Sequence, residues 1–180
     1  MHCMLRLGTG APATPVGVHR LQYLVDDTRL DNGLRVVVNP DAMAPGVAVN
    51  LWYRVGSADG SLGGTGFAHL FEHLMFAGST SVDNGEHLAA IQAVGGSANA
   101  TTSFDRTNYF ETVGPQALGL ALWLEADRMS GLNVDQNNLD TQREVVKEEK
   151  RQRYDNVPYG DQLELLLALN FPTEHAYGHP

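Results

Sequence analysis

The stretch Phe67–Ala77 reads FAHLFEHLMFA, and its interpretation governs that of the whole chain. It follows Gly56–Gly66 (GSADGSLGGTG), a run without strong structure formers that reads as a flexible loop feeding a helix. Within the helix His69, Glu72 and His73 form H-x-x-E-H. At roughly 100° per residue the three fall within about 100° of arc, so they project from one face. Leu70, Phe71, Leu74 and Met75 fill the other faces, which predicts a helix buried nearly all round. Two imidazoles and a carboxylate are costly to bury there unless something binds them. A divalent metal meets that need: two His one turn apart can reach one zinc, with Glu72 placed to take a proton from water. The competing interpretation is a pair of core or surface histidines that share a helix by chance.

A tetrahedral zinc needs a further protein ligand. Cys3 is the only cysteine, which excludes a thiolate site and any intrachain disulfide, so the ligand must be a carboxylate or a third His. The segment Asp135–Arg153 is predicted to be a long helix carrying Glu144, Glu148 and Glu149. Its apolar stripe centres between Val145 and Val146; Glu149 falls on that stripe and Glu148 off it. Gln142 and Arg153 lie on the same stripe, placed to hydrogen-bond to the ligands. Glu144, Lys147, Glu148 and Lys150 read as a solvated face. A His₂Glu zinc with an open position polarises a carbonyl, the equipment for amide hydrolysis.

The rest of the chain is that of an ordinary globular protein. It has 180 residues, 43% hydrophobic and 18% charged, with 19 Gly and 8 Pro, which excludes disorder and low complexity and fits one domain of usual size. Its net charge of −9, most of the surplus lying after residue 100, gives no basic patch for nucleic acid or an anionic membrane. The longest apolar runs fall far short of the roughly 20 residues of a membrane span, and Met1–Pro15 lacks a signal peptide's apolar middle, so the expected location is the cytoplasm.

Residues 1–20 read as a flexible N-terminal arm, and 21–180 as the domain. Thr28–Leu30 and Leu34–Val38 form a hairpin across Asp31-Asn32-Gly33, and with Val47–Val55 they are expected to make one edge of a sheet. Val47, Val49, Leu51, Tyr53 and Val55 share a face. Asp83–Val94 is a second helix, Ser97–Ser103 and Thr107–Val113 a strand pair, Pro115 to about Met129 a third helix and Asp161–Leu169 a fifth. The fold class is α+β, a mainly antiparallel sheet covered by helices. His2, His19, His87, His175 and His179 are expected to face solvent.

Three stretches, GTGFAHLFEHLMFAGS, GGSANATTSFDRTNYF and REVVKEEKRQRYDNVPYG, resemble the M16 metallopeptidases, the family of pitrilysin, insulin-degrading enzyme and mitochondrial processing peptidase. The resemblance runs from about Thr28 to the C-terminus and implies the LuxS/MPP-like metallohydrolase fold. The family's third ligand is a Glu about 75 residues after the second His, which falls on Glu149, the residue that the helical wheel also selects. The resemblance implies His69, His73 and Glu149 as ligands of one Zn²⁺ per chain and Glu72 as general base. It gives a hydrogen-bonded Glu two turns before the third ligand, where this chain has Gln142, so altered metal affinity or rate is expected. Asn99, Ala100 and Thr101 correspond to an exposed edge strand on which an extended peptide is laid, and Phe76 to a lining of the pocket beside the scissile bond.

Family members are about twice this length, and the resemblance implies a homologous C-terminal half or second subunit as partner; residues 21–180 correspond to part of the N-terminal catalytic domain. The function expected is a zinc-dependent endopeptidase acting on extended peptides or unfolded polypeptides. The alternatives are a zinc- and peptide-binding fragment that is inactive without its partner half, and a non-catalytic scaffold subunit of the same fold.

Overall fold

The computed structural model describes residues 24–60 and 66–178; the expected N-terminal arm, His2, His19, His179 and part of the glycine-rich loop lie outside them. The chain divides at Met43/Ala44. Before that point, β1 (Asp26–Arg29) and β2 (Arg35–Val38) pair antiparallel across Asp31-Asn32-Gly33, with Gly33 at φ 89°, the left-handed conformation for which glycine suits the turn. Arg35 forks onto Asp27 across the ladder at 2.9 and 2.6 Å.

The body after Met43 has the order β3 (Val47–Tyr53), α1 (Phe67–Leu74), α2 (Glu86–Ala93), β4 (Ser97–Thr102), β5 (Thr107–Val113), α3 (Leu118–Ser130), α4 (Gln136–Lys150) and α5 (Gln162–Asn170). A 3₁₀ turn at Pro115–Ala117 leads into α3, and a π-turn at Arg151–Asp155 follows α4. The three strands form one antiparallel sheet in the order β3-β5-β4. This corrects one expectation: the hairpin is a two-stranded ladder of its own, and β3 pairs with β5 rather than extending it. Among the described residues no helix is long and apolar enough to cross a membrane.

Period two settles which side of the sheet is covered. Val47, Val49, Leu51 and Tyr53 alternate with exposed Ala48, Asn50 and Trp52, as the sequence predicts, while Val55 lies past the end of the strand and is exposed. On β5 the inward set is Thr107, Tyr109, Glu111 and Val113, and all four are buried. Val49 and Val113 meet Ile91 of α2 and Ala121 and Leu124 of α3 in the apolar core, together with Val82 and Ala117.

Glu111 breaks the apolar run on that inner face; one of its oxygens is met by a buried side chain and the other, Oε2, has no hydrogen-bond partner among the described residues. Its Oε1 lies 2.5 Å from Nε2 of His87 on α2, and nearby on α3 Arg128 forks onto Glu125 through Nε at 2.8 Å and through Nη2. All four residues are at most 4% exposed. His87 is therefore a correction: it does not face solvent, because a carboxylate on the covered face of a strand needs a donor brought to it. The Arg128 guanidinium also lies 4.9 Å from the ring centre of Phe76 and 4.3 Å from that of Tyr109. Burial pushes the Glu125 carboxyl above its usual range, against the pull of Arg128.

Removing one partner from a buried ion pair leaves the other uncompensated. Arg128→Leu is expected to cost about 3–5 kcal/mol of unfolding free energy in urea melts. A loss below about 1 kcal/mol, as for a solvated pair, would contradict this view of the cluster.

Candidate metal centre

Helix α1 opens at Gly66 in the left-handed region (φ 85°) and ends at Leu74. It is less enclosed than its composition predicts: Leu74 is buried, but Phe67 is 56% and Phe71 45% exposed, so one apolar side faces outward. The chain just beyond its end is tied down. Arg128 Nη1 donates to the Met75 carbonyl at 3.4 Å, Asn138 Nδ2 to the Ala77 carbonyl at 3.2 Å, and the Asn133 amide to the Gly78 carbonyl at 3.0 Å.

Asn138 belongs to the first turn of α4, which Asp135 caps by accepting from the Asn138 amide at 2.7 Å. From this fixed start α4 packs along α1, and its half-buried positions are Leu139 and Asp140 followed by Gln142, Val146 and Glu149. Val145 is 45% exposed, so the stripe facing α1 is rotated slightly from the predicted one. Glu149 stays on it and Glu148 stays off it. Arg153, expected on the buried stripe, is instead exposed: it lies within the π-turn and reaches back to Glu149 Oε1 at 2.6 Å.

The crossing of α1 and α4 brings three donor atoms together. His69 Nε2 and His73 Nε2 are 3.3 Å apart, and Glu149 Oε2 lies 3.6 Å from the first and 3.2 Å from the second. Ligands at about 2.0–2.1 Å from a tetrahedral zinc stand about 3.3–3.4 Å from one another, so the donor set fits the ion in both chemistry and spacing. Burial holds the His73 imidazole below its ordinary pKa, with His69 adding to the effect and Glu149 opposing it. That favours the neutral ring a metal requires. Arg153 occupies Oε1 of Glu149 and leaves Oε2 turned toward the imidazoles.

Glu72 sits between the two histidines on α1, and its Oε2 accepts a 2.5 Å hydrogen bond from Thr102 Oγ1 at the end of β4. The sequence reading missed Thr102. The signal was present, because period two on β4 puts Thr102 on the same covered face as Ala98 and Ala100. Among the described residues β4 has β5 on one side only, which makes it an edge of the three-stranded sheet. Asn99 and Thr101 point to the opposite face; the Thr101 hydroxyl and Arg106 join Asn108 there, and the Asn99 side-chain Oδ1 accepts from the Ala100 amide at 2.8 Å. The Phe76 ring, half-buried, packs edge-on against His87 and Tyr109, each with ring centres 5.7 Å away.

A fold of helices on an antiparallel sheet, with two imidazoles from one helix and a carboxylate from another, defines a candidate metallohydrolase. The comparisons agree with that class. Residues 35–172 match the family Insulinase (Peptidase family M16), and the chain belongs to it. The zinc protease PqqE of Helicobacter pylori is 37% identical over 166 residues, covering 91% of this chain and 36% of that protein. The crystal structure of a protease from Helicobacter pylori superposes with a TM-score of 0.83 at 34% identity, over 88% of this chain and 38% of that one. Pitrilysin superposes with a TM-score of 0.76 at 25% identity, over 90% of this chain and 17% of that one. The chain thus spans between 17% and 38% of the length of these relatives.

The two neighbouring carboxylates on α4 separate the metal interpretation from a merely acidic helix. Glu149→Gln is expected to leave the purified chain without stoichiometric zinc after dialysis, whereas Glu148→Gln keeps it, as read by atomic absorption. The reverse pattern would contradict the ligand assignment.

Proposed function

We propose that this chain is the zinc-binding part of an M16 endopeptidase that hydrolyses peptide bonds in extended polypeptides. His69, His73 and Glu149 hold one zinc per chain, and Glu72 is the general base. The observation that carries the reading is the mutual spacing of the three donors, 3.2 to 3.6 Å, with Glu72 on the same helix face as both imidazoles. When bound, zinc supplies Lewis acidity, polarising the carbonyl and lowering the pKa of water toward about 7.

The remaining work falls to the chain's own side chains and backbone. Glu72 takes the proton from the attacking water and returns it to the leaving amine. An extended substrate pairs with the open edge of β4 at Asn99, Ala100 and Thr101, of which Ala100 turns its amide away from β5, and main-chain pairing of this kind binds any peptide with little regard to its sequence. The Asn99 side chain covers the Ala100 amide in the free chain and gives way to a substrate carbonyl. Gln142 stands where it can orient a ligand without adding the charge that a Glu would bring, so its effect falls on affinity and rate.

A second reading keeps the metal but makes turnover depend on a homologous second half. It is supported by Phe67 and Phe71, exposed on the ligand helix. A non-catalytic scaffold is disfavoured, because it would have no need of Glu72 among three converging donors.

Glu72→Gln is expected to retain zinc and to lower cleavage of a quenched-fluorescent peptide by about 10²–10⁴-fold. Full activity in that variant would remove Glu72 from its role. An inactive wild-type chain that gains activity on addition of a second M16 half would decide for the second reading.

A further inference from the structure

We propose that Thr102 is a positioning residue for the base: its hydroxyl, carried on the edge strand, locks one oxygen of the Glu72 carboxylate and leaves the other for proton transfer. The inference rests on the reading of Glu72 as base.

Thr102 Oγ1 lies 2.5 Å from Glu72 Oε2, the length of a hydrogen bond from a hydroxyl to a charged acceptor. A hydroxyl has one proton to give, and the neighbouring distances fix where it goes. Thr107 Oγ1 is 3.2 Å from Thr102 Oγ1 and 2.9 Å from the Val55 carbonyl, which can only accept. Thr107 therefore gives its proton to Val55, and the Thr102 proton goes to the carboxylate, the nearer and stronger acceptor. β-Branching keeps Thr102 in few rotamers, and its register partner on β5 is Thr107, so the hydroxyl is held from two directions.

Two consequences follow for Glu72. Its Oε2 is committed to Thr102, while Oε1 receives no hydrogen bond from the described residues, so the two oxygens have different duties. The group that holds the carboxylate also belongs to the strand proposed to receive substrate, one residue after Thr101. The base and the scissile bond are thereby referred to the same segment of backbone, and misplacement by about 1 Å costs on the order of 10²-fold in rate.

The test uses the full chain as wild type, Thr102→Ser, Thr102→Val, Glu72→Ala and the Thr102→Val/Glu72→Ala double variant, each first assayed for zinc. Thr102→Val is expected to keep its zinc and lose about 10- to 100-fold in kcat with KM changed by less than about twofold, and Thr102→Ser to recover most of the loss. A raised KM with unchanged kcat, or no recovery in the Ser variant, would overturn the proposal. Thermal unfolding supplies a readout independent of turnover. The Tm shifts of Thr102→Val and Glu72→Ala are expected to sum to more than the shift of the double variant, because both remove the same bond. Additive shifts would overturn it. A wild-type chain that binds zinc but cleaves nothing would count against activity of the chain alone, and the unfolding cycle would then decide the role of Thr102 by itself.

Discussion

Two imidazole nitrogens and a carboxylate oxygen meet where α1 crosses α4, and much of the surrounding structure exists to hold that crossing. As ligands, the two imidazoles would turn Nε2 lone pairs to the same point as the carboxylate oxygen, and a cation is what joins the three. The arrangement is maintained from a distance. The Asp135 cap and the Asn138 bond to the Ala77 carbonyl set where α4 begins, and the length of the helix then delivers Glu149 opposite His69 and His73. Arg153 takes the outward oxygen of Glu149, so the inward one is presented in a single orientation.

Beneath α1 lies a second polar assembly, of opposite character. His87, Glu111, Glu125 and Arg128 are buried and paired with each other, and the Arg128 guanidinium rests against Phe76 and Tyr109 while also bonding the Met75 carbonyl. Arg128 is the cation within it and takes both oxygens of Glu125, while Glu111 is met by His87 through Oε1 and keeps Oε2 without a hydrogen-bond partner among the described residues. The assembly's effect on the site is mechanical: it fixes the end of the ligand helix against the sheet. The pair of assemblies shows why a residue list cannot identify a metal centre. What separates them is that Arg128 holds both oxygens of Glu125, whereas Arg153 takes only the outward oxygen of Glu149 and leaves the inward one facing the imidazoles.

Much of this was legible in the sequence because it depends on local periodicity. The alternation of Val47 to Tyr53, the helical spacing of His69, Glu72 and His73, and the choice of Glu149 over Glu148 each follow from which side chains share a face. The failures concern what lies across the face. His87 looked like a surface residue because α2 is weakly amphipathic, and only its pairing with Glu111 on β5 explains its burial. Thr102 was overlooked because its partner is on another element. The separate ladder of the hairpin and the exposed side of α1 depend on tertiary pairing, which periodicity does not encode. Arg153 was misplaced because the helix widens into a π-turn after Lys150, which rotates every later residue from its α-helical position.

The central claim is that one metal ion is held by two nitrogens and one oxygen at the α1/α4 crossing. X-ray absorption at the zinc edge of the reconstituted full chain tests it most directly. The account predicts a four-coordinate ion with two imidazole shells and oxygen ligation at about 2.0–2.2 Å. A sulfur shell near about 2.3 Å, or an ion with no imidazole scattering, would contradict it.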